Sequence, residues 1–289
     1  MPELPEVETV RRGLEAKLIG ATIADVSVRD RRLRWPVAED FERRVVGSRV
    51  ERIERRSKYL LFRLTRAGPN DVPITAGTLL AHLGMTGSFI VHEAGAAPEL
   101  RTHDHLEFQL VRSGSALPLT LLRYNDPRRF GSMHYFDGKD SAQPLLAHLG
   151  PEPLTDAFTG EHLYEQTRRR TGPIKQALMD NSLVVGVGNI YANESLFRAG
   201  IHPARAANRI SLARYERLAR EVKTILNEAI AAGGSTLKDF VNASGEPGYF
   251  QLDYFVYGRE GEVCKVCASP LKHMRHGGRA TVLCSVCQR

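Results

Sequence analysis

The four cysteines of this chain lie in two closely spaced pairs near its C-terminus, Cys264-Lys-Val-Cys267 and Cys284-Ser-Val-Cys287. Two CxxC pairs at this spacing can place four thiolates tetrahedrally around one ion, and Zn²⁺ is the usual occupant. Because four thiolates leave no coordination position open, such a site is structural. Two disulfides are the competing interpretation, which a cytosolic location would oppose. The sequence therefore predicts a C-terminal hairpin whose ends are fixed by one bound metal ion.

The segment between the two cysteine pairs is strongly basic. A metal-fixed hairpin with a basic tip is suited to lie beside a phosphate backbone. A solvated turn without a binding role is the alternative that the sequence leaves open. The basic residues of this segment are Lys272, His273, Arg275, His276 and Arg279.

The whole chain of 289 residues is also basic, with 40 Lys and Arg against 33 Asp and Glu and a net charge of +7. Arginine and lysine are concentrated in residues 29–34, 52–58 and 168–170. Such clusters release counterions when they neutralise phosphates, although charge runs are also common on solvated faces. The composition favours a nucleic acid as partner without distinguishing DNA from RNA.

The N-terminus is acidic and has no apolar segment of the kind found in signal peptides. No run of roughly 18 apolar residues is present to span a bilayer. The sequence therefore predicts a cytoplasmic protein that has no membrane partner.

Hydrophobic periodicity divides the chain into a β-rich part and a helical part, as its length suggests. A first helix is predicted from Pro5 to Gly20, with apolar residues at helical spacing. In residues 22–135, apolar and polar residues then alternate in short segments that are typical of an antiparallel β-sandwich. The predicted strands are 22–28, 50–55, 58–64, 78–83 and 105–111; the predicted loops are 66–77 and 93–101; the predicted helices beyond residue 144 are 160–170, 173–181, 189–199 and 211–232.

We therefore expect an N-terminal β-sandwich domain at residues 1–135 and a linker at 136–153, where glycines and prolines interrupt the chain. A mainly helical domain is expected at 154–245, and the metal-binding hairpin at 246–289.

The first six residues, Met-Pro-Glu-Leu-Pro-Glu, carry a possible nucleophile. Removal of Met1 would leave Pro2 with a free secondary amine. An α-amino group titrates near ~8, so a sizeable fraction is neutral and nucleophilic at physiological pH. The carboxylates of Glu3 and Glu6 lie close in sequence and could move protons. A solvated, frayed chain end is the alternative.

Three further segments combine glycine turns with residues suited to DNA. The turn Gly186-Val-Gly188-Asn189 precedes a helix, and with Lys175 it could bind a phosphate or be only a turn. The loop 125–131 presents Arg128 and Phe130, which could read a base edge and wedge into a base stack. Met85, between glycines in loop 82–87, is another apolar candidate. Taken singly, each of these two apolar side chains is better explained as a core residue.

Taken together, these motifs closely resemble bacterial formamidopyrimidine-DNA glycosylases over the whole chain. The resemblance rests on residues 1–6, 82–87, 126–131 and 186–189 and on the four-cysteine hairpin. It implies an α+β multidomain fold: an N-terminal antiparallel β-sandwich with flanking helices, then a helix-two-turn-helix domain with a four-cysteine zinc β-hairpin. DNA would lie in the cleft between the domains.

The resemblance implies base-excision repair of double-stranded DNA that contains oxidised purines or abasic sites, by a monomer with one structural Zn²⁺. The lesions would be 8-oxoguanine opposite cytosine and ring-opened formamidopyrimidines, flipped out of the duplex. Pro2 would attack C1′ and form an imine, Glu3 would supply and remove protons, and Glu6 would support the site. β- and δ-elimination would then cut the strand.

The resemblance also assigns roles by motif position. Lys58 matches the lysine at the lesion phosphates that donates a proton in β-elimination, and Arg279 matches the hairpin arginine that grips phosphate. Arg128 would face the orphan cytosine, while Met85 and Phe130 would fill the vacated space. Ser235 would read the N7 hydrogen of 8-oxoguanine. Other positions that match DNA contacts are His103, Arg170, Lys175 and Asn189.

Two alternative functions remain open from the sequence. An endonuclease VIII-like enzyme would share the fold and Pro2 but act on oxidised pyrimidines; that branch has Gly at the position of Leu4 and lacks the 126–131 pattern. A non-catalytic zinc-ribbon protein that binds DNA would explain the charge and the cysteines. It would give no reason for Pro2, Glu3 and Lys58 to occur together.

Overall fold

The structure is a computed structural model that describes residues 2–93, 95–112, 120–234 and 254–289. These residues form two compact units. The first contains Pro2, Glu6–Pro144 and residues 233–234, and the second contains Glu3–Pro5, Leu145–Ala232 and residues 254–289.

Helix α1 (Leu4–Leu18) is amphipathic in the way that its sequence predicts. Val7, Val10 and Leu14, spaced three and four residues apart, are at most 1% exposed. Glu6 lies in its first turn and Lys17 in its last, each beside the helix end of opposite partial charge. The helix ends before Gly20, which adopts a left-handed φ of 81°.

The first unit is built on eight antiparallel strands. Strands β1 and β2 pair at only one position, Thr22 with Arg49, so the sheet consists of two four-stranded halves. Side chains from both halves and from α1 share one buried core, which confirms the predicted sandwich. The strand order is β5-β7-β6-β1-β2-β3-β4-β8, with β1 Thr22–Val28, β2 Arg49–Arg56, β3 Tyr59–Ala67, β4 Pro73–His82, β5 Ser88–Glu93, β6 Asp104–Val111, β7 Thr120–Asn125 and β8 Ser132–Phe136. The short helix α2 (Phe41–Val45) belongs to this unit. A second short helix, α3 (Pro144–Ala147), begins at the last residue of the segment Glu6–Pro144 and continues into the second unit.

The predicted loop at residues 66–77 was wrong over most of its length. Strand β3 continues to Ala67 and β4 begins at Pro73, and Thr75 pairs with Thr65. Only residues 68–72 turn the chain, through a short 3-10 segment at Pro69–Asp71. The glycines and prolines that suggested a loop are tolerated because strand ends accept them. The predicted loop at 93–101 contains no strand beyond Glu93 in its described part.

The second unit is mainly helical, as predicted. Its long helix α7 buries a stripe of apolar side chains against α4 and α6. It ends at glycines 233 and 234, whose φ angles are 81° and 85°. Ser211 occupies the position before α7, but its side chain makes no capping hydrogen bond. The helices are α4 Gly160–Thr167, α5 Ile174–Leu178, α6 Asn189–Arg198 and α7 Leu212–Ala231.

The C-terminal segment of the second unit contains the predicted hairpin. Strands β9 (Lys272–His276) and β10 (Arg279–Leu283) pair antiparallel around Gly277 and Gly278. Phe197 of α6 packs with Val256, Leu271 and Val282 around the cysteines. Among the described residues, no helix combines the length and apolar character needed to cross a membrane.

Candidate active site

The carboxylate of Glu3 is held at the N-terminus of α6. Its Oε2 accepts from the backbone N–H of Gly188 at 2.9 Å and of Tyr191 at 3.4 Å, and its Oε1 accepts from Ile190 at 2.9 Å. Glu3 is only 2% exposed. The partial positive charge of a helix N-terminus stabilises an anion at this position. The structure therefore fixes this carboxylate in one orientation.

Gly188 is required for this arrangement because a side chain there would collide with Glu3. A Cβ on Gly188 would lie 2.3 Å from Cδ of Glu3. The sequence suggested that N–H groups of this turn could bind a phosphate. Those of Gly188, Ile190 and Tyr191 are instead occupied by the Glu3 carboxylate, which comes from a residue 185 positions earlier in the chain.

Pro2 and Glu6 flank Glu3 in sequence and belong to the first unit. Pro2 is buried, and Glu6 is 0% exposed. Met1 lies outside the described residues. A free amine at Pro2 and the fixed carboxylate of Glu3 would therefore belong to consecutive residues.

Lys58 lies in the tight turn between β2 and β3. It is 8% exposed and follows Ser57, whose φ of 57° makes the turn possible. Burial and the charges of Lys58 and Arg34 lower the pKa of His82 to about 4. The ring of His82 is therefore neutral at physiological pH, and its Nδ1 accepts from the backbone N–H of Gly84 at 2.9 Å.

Two loops of the first unit, residues 82–87 and 126–131, are joined by the buried side chain of Asp126. Its Oδ1 accepts from the hydroxyl of Thr86 at 2.6 Å, and its Oδ2 accepts from the N–H of Gly131 at 2.8 Å. A Cβ on Gly131 would lie 1.8 Å from the hydroxyl of Tyr124. The role of Asp126 was not predicted, although a carboxylate before Pro127 in a turn was the available signal.

These joined loops display Arg128 and Phe130 at the surface. Phe130 is 46% exposed, and the guanidinium of Arg128 lies 4.8 Å from the centre of its ring. Phe130, Met85 and Arg34 line one groove of about 510 Å³. The core interpretation of Phe130 is therefore wrong, because its ring faces solvent.

Lys175 is the most deeply buried of the predicted DNA-contacting cations. It is 1% exposed, and its Nζ donates to the carbonyl of Ala280 at 2.8 Å and to the hydroxyl of Thr281 at 2.7 Å. Burial and the charge of Arg279 lower the pKa of Lys175 to about 8, although Glu3 acts in the opposite direction. Lys175 therefore ties α5 to strand β10, beside Arg279.

A second buried carboxylate of α6 organises the chain before the cysteines. Glu194 is 1% exposed and accepts from the backbone N–H groups of Phe255, Val256 and Tyr257 at 2.7 to 2.9 Å. Burial is the main cause that raises the pKa of Tyr257, and a hydrogen bond that the side-chain amide of Asn189 donates acts in the opposite direction. The carbonyl Oδ1 of Asn189 is buried and has no hydrogen-bond partner among the described residues. No sequence pattern indicated this role of Glu194.

The remaining predicted residues lie apart from these contacts. Nδ1 of His103 is buried without a hydrogen-bond partner in the described part of the chain. Arg170 forms an ion pair with Asp180 at 2.5 Å. Ser235 lies outside the described residues. The structure thus leaves the DNA-binding roles of these residues as predictions.

The four cysteines converge as a metal site requires. Their Sγ atoms all lie within 4.8 Å of one another, with Cys264 to Cys287 at 3.9 Å and Cys267 to Cys284 at 3.4 Å. Tetrahedral zinc with Zn–S bonds of ~2.3 Å separates its sulfurs by about 3.8 Å. The cysteines are not joined by disulfides. The donor set therefore fits one tetrahedral metal ion and no disulfide framework.

Two family models match the chain. The model described as the formamidopyrimidine-DNA glycosylase N-terminal domain matches residues 1–133, and the one described as the formamidopyrimidine-DNA glycosylase H2TH domain matches residues 149–241. Formamidopyrimidine-DNA glycosylases of Stutzerimonas stutzeri and of Pseudomonas aeruginosa are each 53% identical to this chain over 289 residues, which is 100% of both chains.

Solved structures give the same result. The MutM (Fpg) protein of Thermus thermophilus superposes with a TM-score of 0.83 at 37% identity, covering 99% of this chain and 98% of that one. The Fpg of Lactococcus lactis in complex with DNA containing an abasic site superposes with a TM-score of 0.84 at 32% identity, covering 99% of each chain. A complex of the L. lactis protein with DNA that contains N7-benzyl-Fapy-dG gives 0.84 at 31% identity and 100% coverage of both.

Proposed function

This chain belongs to the formamidopyrimidine-DNA glycosylase family, and from that premise we propose how its own residues excise oxidised purines from DNA and cut the strand. The observation that carries the proposal is the fixed carboxylate of Glu3 immediately after Pro2. It places a proton-transfer group one residue from a secondary amine, which an ordinary frayed chain end would not do.

Excision begins with the Pro2 nitrogen once Met1 has been removed. The nitrogen attacks C1′ of the flipped nucleotide, and the glycosidic bond breaks so that the base leaves with the bonding electron pair and gains a proton. The attacking nitrogen gives its proton to the Glu3 carboxylate, which passes it to the sugar ring oxygen, and ring opening then gives an iminium between Pro2 and C1′. Glu6, buried in the same segment, supports this site.

Strand cleavage follows from the iminium. Loss of a proton from C2′ expels the 3′ phosphate in β-elimination, and a second elimination expels the 5′ phosphate. We assign Lys58 to the phosphates of the lesion and to proton donation in the first elimination. Arg279 of the hairpin holds phosphate during the second. The neutral ring of His82 beside Lys58 adds no competing positive charge there.

The exposed groove of the first unit suits the DNA that the flipped nucleotide leaves behind. We propose that Phe130 and Met85 enter the base stack and that Arg128 faces the orphan cytosine. The stacking of Arg128 on Phe130 orients its guanidinium for a bidentate contact. Base reading by Ser235 and phosphate contacts by His103, Arg170, Lys175 and Asn189 complete the proposal.

Replacing Arg128 by alanine should reduce excision of 8-oxoguanine opposite cytosine by about ten- to a hundredfold, since a bidentate base contact contributes ~1–3 kcal/mol. Excision opposite adenine should change less, so the preference for cytosine shrinks. The matched control is Arg43→Ala, because Arg43 is an exposed arginine of the same unit in α2. Single-turnover excision rates on the two duplexes provide the measurement. An undiminished preference for cytosine in the Arg128 variant would remove this assignment.

We propose that the four cysteines hold one structural Zn²⁺. Four thiolates leave no open position for catalysis, so the ion acts by fixing the hairpin that carries Arg279. Glu194 stabilises the chain before the first cysteine pair, because its carboxylate accepts from the backbone N–H groups of Phe255, Val256 and Tyr257.

A Cys267→Ser variant should lose its zinc and bind lesion-containing DNA more than about tenfold more weakly, because an unfixed hairpin no longer presents its charged phosphate contacts. Ser285→Ala, an exposed non-ligand residue inside the second cysteine pair, is the control and should keep one zinc per chain. Metal content by mass spectrometry and DNA binding by anisotropy are measured together. Unchanged affinity in a zinc-free Cys267 variant would contradict this role of the ion.

A further inference from the structure

The hairpin places His276 directly beside Arg279. In the antiparallel pairing of β9 with β10, His276 lies opposite Arg279 and Met274 lies opposite Thr281. Side chains at opposite positions project from the same face, with Cβ atoms about 4.5–5.5 Å apart. The imidazole of His276 therefore shares one face of the hairpin with the guanidinium of Arg279.

This face of the hairpin is adjacent to Lys175. The ammonium of Lys175 donates to Thr281, which projects from the same face as His276. The charge of Arg279 acts on Lys175, and the charge of Lys175 acts on His276. Lys175, Arg279 and His276 therefore form one basic cluster at the hairpin.

Two members of this cluster change charge in the range of pH around neutrality: His276 in its acid part, and Lys175, whose pKa is about 8, in its alkaline part. His276 is half-buried, and its Nε2 lies 2.9 Å from the sulfur of Met274. A thioether sulfur only accepts, so this contact assigns the proton of the neutral ring to Nε2 and leaves Nδ1 to take a second one.

The environment of His276 favours its neutral form when no anion is bound. Burial and the charge of Lys175 lower its pKa below the ordinary value. His202, on the loop after α6, also faces it, and the pKa of His202 is itself lowered by burial, His276, Arg205 and Lys272. The groups around His276 on α5, on its own hairpin and on this loop are thus basic.

We propose that His276 is a second phosphate ligand at the tip of the hairpin, and that it binds a DNA phosphate in its protonated form. The inference rests on the proposed function, because the anion it requires is DNA. A phosphate held by Arg279 brings negative charge to the face that His276 shares, and this favours the imidazolium. DNA binding is then coupled to uptake of one proton at Nδ1.

The direction of the pH dependence follows from this coupling. The pKa of His276 is higher in the complex than in the free protein. The affinity that His276 adds is therefore complete at a pH below its pKa in the free protein, and it is lost as the pH rises through its pKa in the complex. The pKa of His276 in the free protein lies below the ordinary value of ~6.5. The pH range over which the added affinity is lost therefore begins below ~6.5 and ends at the higher pKa of the complex. One linked proton changes affinity by at most about tenfold per pH unit.

Anisotropy titrations of the full-length, zinc-loaded protein with a duplex containing a tetrahydrofuran abasic-site analogue test the proposal from pH 5.5 to 8.5. We expect His276→Gln to lose the acid part of the pH dependence, to keep the alkaline part that Lys175 causes, and to match the unaltered protein at the alkaline end. His276→Arg should bind more tightly than the unaltered protein at the alkaline end, because its guanidinium keeps its charge there. His148→Gln, the same change at an exposed histidine, should leave the profile unaltered.

The salt dependence provides a second readout. At acid pH, the slope of log affinity against log salt should be less steep in His276→Gln than in the unaltered protein, by about the amount that one phosphate contact contributes. At alkaline pH the two slopes should be equal. A His276→Gln profile that keeps the full pH dependence would overturn the inference. Absence of lesion binding by the unaltered protein at every pH would instead overturn the proposed function.

Discussion

A chain that carries one extra residue before Pro2 should have no measurable glycosylase or strand-cleaving activity. The extra residue converts the secondary amine into a tertiary amide, which cannot attack C1′. Loss of a nucleophile costs on the order of 10⁴-fold or more in rate. Retention of Met1 is the natural form of the same change, so the unaltered protein should be active only after Met1 is removed.

Single-turnover cleavage of a duplex containing 8-oxoguanine provides the measurement. The matched control carries the same extra residue at the C-terminus, after Arg289, which is exposed. The N-terminally extended chain should still bind the abasic-site analogue, because the phosphate and base-stack contacts are unaltered. Equal cleavage by the two extended chains would show that the Pro2 nitrogen is not the nucleophile.

Glu3→Gln should produce the second large loss, about 10²- to 10⁴-fold in excision, together with lower stability. Both carboxylate oxygens accept backbone N–H groups, Oε2 from Gly188 and Oε1 from Ile190. Whichever way a glutamine amide is turned, its NH₂ meets one of these donors. An unpaired buried donor costs about 1–3 kcal/mol, which denaturant unfolding can measure.

Gly188→Ala separates the position of the carboxylate from its chemistry. It keeps Glu3, but its Cβ would lie 2.3 Å from Cδ of that residue and displace the carboxylate. We expect an excision defect close to that of Glu3→Gln. The control is Gly172→Ala, because a Cβ there meets only Gln176, at 4.0 Å. Normal excision by Gly188→Ala would mean that the fixed position of Glu3 has no catalytic role.

The sequence predicted the elements whose signal is local. The stripe of Val7, Val10 and Leu14 defined α1, and the spacing of the cysteine pairs predicted a site that the Sγ distances support. Strands β5, β7 and β8 were not predicted; they are five or six residues long, and β8 pairs with β4, from which three other strands separate it in the chain.

The contacts within the candidate site depend on long-range packing. No sequence pattern indicates that Glu3 accepts from residues near position 190, because its charge and the glycine turn are each common. The same limitation applies to Lys175, which was predicted to contact DNA. Its burial against Thr281 depends on residues 106 positions away. Asp126 belongs to a motif in the sequence, but its role in joining two loops depends on a contact with Thr86, 40 positions earlier in the chain.

Borohydride trapping with mass mapping tests the central claim most directly. The unaltered protein is mixed with duplexes that carry 8-oxoguanine opposite cytosine, an oxidised pyrimidine or no lesion, and borohydride reduces any iminium to a stable amine. We predict one covalent adduct, on the nitrogen of Pro2, formed mainly with 8-oxoguanine. An adduct on a lysine, or none with lesion binding intact, would contradict the account, and an adduct mainly with the pyrimidine would place the enzyme in the endonuclease VIII-like branch.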